Sequence, residues 1–186
     1  MAVFQLFADS KFQEGKKPGS RCSPATATID SAQFRRLMGN WATGVTVVTS
    51  MGPRGPHGMT ASAFLSVSLD PPLVLISVGH DNDSHAIIEE SRRFAVNILA
   101  ADQEVLSVAF ATRRADSERA FEGVAHALSP AGLPWLDGAL GCLECELQGG
   151  IEAQDHTLFL GRVTALREGE KAPALLYFRS IYSSPR

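Results

Sequence analysis

The chain has 186 residues, 45% of them hydrophobic and 20% charged, with a formal net charge of −3. That length fits one domain with a core of useful size, and the slight acidity excludes the basic field that nucleic-acid binding requires. No run approaches the ~18 apolar residues of a membrane span, and the apolar patch from Val3 to Ala8 lacks the basic flank and length of a secretory signal, so a cytoplasmic protein is expected.

Residues 1–28 mix Lys11, Lys16, Lys17 and Arg21 with Gly15, Pro18, Gly19, Ser20, Ser23 and Pro24. This composition predicts a flexible or loosely docked extension ahead of a single domain over 29–186. Asp30 and Gln33 have capping-box spacing, and Ile29 and Phe34 are placed as a hydrophobic staple. Phe34, Leu37, Met38 and Trp41 follow at i, i+3, i+4 and i+7, which predicts a helix with a packed apolar stripe. Gly44 then releases a strand over 45–49, and the glycines and prolines of 51–56 predict a turn.

Residues 58–69 read as one strand with period-two alternation. Ala61, Ala63, Leu65, Val67 and Leu69 then share an apolar face, and Thr60, Ser62, Phe64, Ser66 and Ser68 share the other. Such a hydroxyl-rich face is usually the wet side of an antiparallel sheet. It also suits a flat, polar ring system held by short hydrogen bonds. Pro71-Pro72 ends the strand, and the apolar run 73–78 predicts a buried one.

Asn82 or Asp83 caps a short helix over 85–92, and a strand follows at 94–99. A second helix over 102–112 is predicted with Val105, Val108, Ala109 and Thr112 inward. Further strands are expected near 124–127, 139–148, 157–166 and 174–182. Many short strands with few helices indicate a mainly β chain, an antiparallel barrel with helical decoration.

Cys142-Leu143-Glu144-Cys145 matches C-x-x-C. On a strand, positions three apart face opposite sides, and no second pair completes a zinc site, so a structural role is expected. His57, His80, His85 and His126 show no metal spacing, and no metal is assigned. Neither G-x-S-x-G nor G-x-G-x-x-G is present, which argues against that hydrolase type and against a Rossmann domain. Spacing alone leaves Asp83-Ser84 as a plain helix cap and His156 as a structural histidine.

Five blocks in one order change that reading: 34–49 (with Ala42-Thr43-Gly44-Val45-Thr46), 58–78, Arg93-Phe94-Ala95-Val96-Asn97-Ile98-Leu99-Ala100, Asp155-His156-Thr157 and Leu175-Leu176-Tyr177-Phe178-Arg179. Together they resemble the flavin reductases of two-component monooxygenases, from about Asp30 almost to the C-terminus. The resemblance implies the FMN-binding split barrel, an antiparallel Greek-key barrel. It implies NAD(P)H-dependent reduction of FMN or FAD, with hydride passing from nicotinamide to flavin and no strong general acid or base.

By the same resemblance, His57, Met59, Thr60, Ala61, Ser62 and Ala63 lie along the flavin ring, and Ser77, Val78 and Gly79 beside the ribityl chain. Asp83 and Ser84 sit at the phosphate, with Ser84 as its ligand, and Ala100 and Ala101 close the site. His156, Tyr177, Phe178 and Arg179 would meet NADH or NADPH, although Ser180 stands where the family usually has glycine. A homodimer is implied, releasing reduced flavin to a separate flavin-dependent monooxygenase. The alternative is a non-enzymatic flavin- or haem-binding module on the same barrel. A relative of pyridoxamine-phosphate oxidase would need a basic cluster that the chain lacks.

Overall fold

The computed structural model describes residues 29–111 and 121–185, so the expected extension over 1–28 lies outside the described residues. In chain order the elements are α1 (Ser31–Met38), β1 (Thr43–Gly44), β2 (Thr46–Gly52), β3 (Gly55–Ala61), β4 (Phe64–Leu69), β5 (Pro72–Gly79), α2 (Asp83–Ser91), β6 (Arg93–Ile98), a 3₁₀ turn (Ala101–Gln103), α3 (Glu104–Ala111), β7 (His126–Leu128), β8 (Pro134–Leu136), β9 (Gly141–Ala153), β10 (His156–Glu168), β11 (Leu176–Phe178) and β12 (Ile181–Ser183).

Seven strands form one sheet in the order β3-β2-β6-β9-β10-β5-β4, and every neighbouring pair is antiparallel. The architecture is mainly β with helical decoration, as expected. Its barrel is not closed: β3 and β4 are the two edges and do not pair with each other.

The long β9–β10 hairpin staggers the sheet. β6 pairs with the first half of β9, ending Ile98↔Gly141, while β5 runs to the other end, where His156 lies between Gly79 and Ala153. Ala61 and Ile98 flank Thr46, and Phe64 faces Ile76 far along the stagger. Only Ser62 and Ala63 join Ala61 to Phe64. Three Cα steps of ~3.8 Å span at most ~11 Å, so the sheet coils until its two edges meet at this link.

Successive residues of β2 serve two cores. Val48 packs with Ile76, Phe94, Val96, Phe159 and Ile88 of α2, whereas Val47 packs with Leu99, Leu136, Leu175 and Phe110 of α3. A strand buried on both faces reads as a mostly apolar run, as Val45-Thr46-Val47-Val48 does, with the one buried hydroxyl bonded to the Ala61 carbonyl. Buried Asn97 donates to the Val47 carbonyl at 3.0 Å and accepts from the Leu136 amide at 2.8 Å, which pins β8 to the sheet. On β10, Gly161 leaves room for the Phe94 ring: a Cβ there would lie 2.8 Å from Phe94 Cε1 and 3.0 Å from Cys145 Cβ.

Several expectations are corrected. The strand predicted over 58–69 is two strands with different partners, β3 on β2 and β4 on β5. A bulge between Ser66 and Ser68 shifts the alternation again. The predicted faces therefore fail: Phe64 packs against the core, while Leu65 and Leu69 are exposed. The turn at 51–56 is tighter than predicted, because β2 runs to Gly52 and β3 starts at Gly55.

The predicted helix over 102–112 turns Ser107 and Phe110 inward, with Val105 and Val108 outward. Thr112 lies outside the described residues. The strand predicted over 174–182 is the β11–β12 hairpin, turning at Arg179 and Ser180 with φ of 50° and 64°. Positive φ at both central residues is the two-residue hairpin geometry that favours glycine. The α1 stripe is not packed: Phe34, Leu37, Met38 and Trp41 are exposed, and no residue of α1 is buried.

Cys142 and Cys145 are buried in separate clusters, as strand alternation requires. Burial pushes the Cys142 thiol up and the Cys145 thiol up to about 12. Neither is a thiolate near neutral pH, so a redox role does not fit.

Candidate functional site

The link between β3 and β4 is the natural place to look for a site. The β2–β3 ladder ends at Ala61 and the β4–β5 ladder starts at Phe64, so Ser62 lies outside both. Ser62 and Ala63 are exposed, and the Ala63 carbonyl accepts from the Ser77 amide at 3.2 Å. The seam thus joins Ser62 and Ala63 to the end of β5. Thr46 Oγ1 donates to the Ala61 carbonyl at 2.7 Å and fixes the near edge.

The other residues of the β3 block divide by face. Met59 and Ala61 are buried in the inner core, and Thr60 donates its hydroxyl to the Ser107 carbonyl of α3 at 2.6 Å. Any ligand along this block meets backbone rather than the Met59 or Thr60 side chains. Ala100 is buried, bridges Ala174 and donates its amide to Gln103 Oε1 at 3.0 Å, while the Ala101 amide donates to the Pro173 carbonyl.

α2 begins beside the end of β5. Asn82 is its cap, accepting from the Ser84 amide at 2.9 Å. Asp83 is not the cap. It lines a cavity of about 220 Å³ with Arg54, His57 and Glu90, under the β2–β3 turn. Ser84 is 1% exposed, and its Oγ has no hydrogen-bond partner. A buried orphan hydroxyl at a helix N-terminus suits an anionic oxygen, because the first-turn amides and the helix dipole favour negative charge there.

His57 is also buried, and its Nδ1 lacks a partner. Burial holds its pKa below the ordinary 6.5, Asp83 pulling the other way and Arg54 adding to the drop. The sign follows directly: below pH 6.5 the unfolded chain binds a proton that the folded chain resists. Stability should therefore fall as pH drops below 6.5, and His57→Gln should flatten that slope. Chemical denaturation between pH 7.5 and 5 measures it; an equal slope in both proteins removes His57 as the cause.

His156 opens β10 opposite Gly79. A Cβ on Gly79 would lie 3.1 Å from Asp81 Oδ1 and 3.6 Å from His156 Nε2, so this backbone forms a cradle under the imidazole. His156 Nδ1 lies 2.9 Å from Asp155 Oδ1. The bond to His156 keeps the Asp155 carboxyl below its usual range. A carboxylate only accepts, so Nδ1 carries the proton and Nε2 of the neutral ring is an acceptor toward Gly79. That acceptor matches a carboxamide NH₂.

Tyr177 and Phe178 are partly exposed on the β11–β12 hairpin. Arg179, beside them, also holds the hairpin in place. Its Nε donates to Asn40 Oδ1 at 2.9 Å, its amide to the Gly39 carbonyl at 2.9 Å, and its guanidinium lies 5.1 Å from the Phe178 ring centre. The structure therefore brings Ser62, Ala63, Ser77, Gly79 and His156 into one region, and ties Arg179 to the end of α1.

Sequence reasoning passed over Thr157. Its buried hydroxyl meets His85 Nε2 at 2.7 Å and His80 Nε2 at 3.1 Å, and donates to Glu152 Oε1 at 3.1 Å. Its histidine partners are 72 and 77 residues away, so no local spacing could reveal it. Among the described residues no group of acidic, histidine or cysteine side chains could hold a metal, and no helix is long and apolar enough to cross a membrane. An orphan hydroxyl at a helix start, a backbone seam, a glycine cradle and an imidazole acceptor fit an anionic ligand with a flat polar ring system.

Comparisons with known proteins agree. Residues 38–185 match the family model described as flavin reductase like domain. The chain is 43% identical over 143 residues to the FMN reductase (NADH) SmoA of Agrobacterium fabrum, covering 76% of this chain and 80% of that protein. It is 36% identical over 159 residues to the flavin-dependent monooxygenase reductase subunit HsaB of Rhodococcus jostii, covering 86% and 80%. Among solved structures, the NADH:FAD oxidoreductase of Streptomyces globisporus in complex with NAD and FAD fragments superposes with a TM-score of 0.77. That match has 40% identity and covers 83% of this chain and 92% of that one.

Proposed function

Given that the chain belongs to the flavin reductase-like domain family, we propose that the seam at Ser62 and Ala63 is where it carries out its reaction, the NADH-dependent reduction of flavin. The observation that carries the placement is the buried, unpartnered Ser84 hydroxyl at the start of α2. When bound, the flavin supplies a two-electron acceptor and the dihydronicotinamide a hydride. The chain's own part is positional, since proximity and orientation are what such a step asks of a protein.

Ser84 and the first-turn amides of α2 hold the phosphate, with His57 and Asp83 lining the cavity beside the same turn. The backbone of 59–63 holds the ring edge. Ser77, Val78 and Gly79 pass along the ribityl chain, and Ala100 and Ala101 bound the far side. His156 accepts from the nicotinamide carboxamide through Nε2. Tyr177 and Phe178 give an apolar wall, and Arg179 holds that hairpin to the end of α1 through Nε, leaving its terminal nitrogens to the nicotinamide side. FMN and FAD both fall within this reading, because the relatives' names carry both.

Reduced flavin then diffuses to a separate flavin-dependent monooxygenase, the arrangement that the reductase-subunit relative's name describes. A homodimer in the cytoplasm completes the proposal. Its support is the exposed apolar surface of Phe34, Leu37 and Met38 on α1 and Trp41 just beyond it, with Phe178 and Ile181 on the hairpin that Arg179 ties to the end of α1.

Anaerobic stopped-flow of flavin-stripped protein, given FMN or FAD and then NADH or NADPH, tests the reading. Fast protein-dependent bleaching is expected, and tight flavin binding without bleaching would make the chain a binding module. Ser84→Ala should weaken flavin affinity by about 1–2 kcal/mol, the scale of one lost side-chain hydrogen bond. Fluorescence titration measures it, and unchanged affinity would remove Ser84 from the phosphate.

A further inference from the structure

One buried hydroxyl ties together the three segments that the proposed site depends on. His80 follows Gly79, His85 follows Ser84, and Thr157 follows His156. Thr157 is 1% exposed, and its Oγ1 lies 3.1 Å from His80 Nε2, 2.7 Å from His85 Nε2 and 3.1 Å from Glu152 Oε1. Glu152 Oε2 lies 3.2 Å from His80 Nε2, and Glu89 Oε2 lies 3.7 Å from His85 Nδ1.

A carboxylate only accepts, so the threonine proton goes to Glu152 Oε1 at 3.1 Å. Oγ1 then accepts from His85 Nε2 at 2.7 Å, and the His80 Nε2–H is shared between Oγ1 at 3.1 Å and Glu152 Oε2 at 3.2 Å. The hydroxyl thus contacts both rings and the carboxylate at once. A backbone bond from the His80 amide to the Asp155 carbonyl at 3.0 Å reinforces the same junction.

We propose that Thr157 is a positioning residue for hydride transfer: its hydroxyl, shared by His80 and His85, sets the distance between the start of α2 and the start of β10. This rests on the reading above, in which Ser84 holds the flavin phosphate and His156 the nicotinamide. The two cofactors are then anchored on separate elements, and this hydroxyl is the side-chain bond that both anchoring segments share. A misplacement of ~1 Å between reacting groups costs up to ~100-fold in rate, so loosening this bond should be felt in the chemical step.

The test uses Thr157→Val, which keeps the shape and removes the hydroxyl, and Thr157→Ser, which restores it. Glu152→Ala, at an exposed side chain, removes the acceptor of the hydroxyl proton without touching the core. Anaerobic single-turnover bleaching is measured at saturating flavin, together with flavin Kd and the split between kcat and KM for NADH. Thr157→Val should slow bleaching per bound flavin about tenfold with flavin Kd within about threefold, the scale of a modest misalignment. Thr157→Ser should return to within about twofold of wild type, and Glu152→Ala should fall between.

Equal bleaching rates in wild type and Thr157→Val would overturn the proposal while leaving the flavin reductase reading intact. So would a serine variant as slow as the valine variant, or a valine variant that loses only thermal stability and flavin occupancy. If Thr157→Val does not fold, the rate per bound flavin in Glu152→Ala decides, and no change there overturns the proposal. Wild-type protein that binds flavin but does not bleach it removes the premise, and the proposal with it.

Discussion

Replacing His156 by alanine should slow the reduction of bound flavin by NADH about 10- to 100-fold, or about 1.4–2.7 kcal/mol in the barrier. Flavin affinity should stay within about twofold, because the proposed flavin anchors are Ser84 and the backbone of 59–63. The asymmetry comes from the tautomer. Asp155 Oδ1 accepts a hydrogen bond from Nδ1–H at 2.9 Å and leaves Nε2 as an acceptor over the Gly79 backbone. Alanine removes that acceptor, so the carboxamide loses the contact that orients its ring. His156→Gln, which keeps an acceptor at similar reach, should recover part of the rate. Stopped-flow bleaching with parallel flavin titrations separates the two effects. Equal losses in affinity and rate would place His156 on the flavin instead.

A large effect on stability is expected at Gly161 in the inner core. An alanine Cβ there would sit 2.8 Å from Phe94 Cε1 and 3.0 Å from Cys145 Cβ, and Phe94 is fully buried. Neither neighbour can yield cheaply, because Phe94 lies in the inner core with Val48, Val96 and Phe159. Overpacking of this kind costs about 1–3 kcal/mol, which in a chain of this size lowers Tm by roughly 3–10 °C. Gly149, on the neighbouring strand β9, is the control, since a Cβ there meets nothing within 4 Å. Calorimetry on both variants checks the contrast, and equal shifts would show that glycine content rather than packing matters in this hairpin.

What the sequence made legible was local. A helix cap at Asn82 or Asp83, the antiparallel strands and the opposed faces of the two cysteines followed from residue types and period. The errors share one cause, which is that periodicity says which side chains share a face but not which strand lies alongside. Residues 58–69 alternate without a break, yet the chain changes partner at Ser62 and bulges at Ser66. The α1 stripe has ideal helical spacing and still faces outward, because spacing cannot say whether a neighbour exists. Family resemblance supplied the site residues. It could not anticipate that Arg179 bonds Asn40, or that Thr157 meets two histidines from a distant segment.

The two-residue link between β3 and β4 also acts as a ruler. An edge strand presents unpaired amides and carbonyls that can template association with another chain. Here both edges of a seven-stranded sheet are drawn together by Ser62 and Ala63 alone. Lengthening the chain at that point would release both edges at once and dismantle the ligand seam in the same stroke. Chain length at Ser62–Ala63 is therefore coupled to solubility as well as to the proposed site.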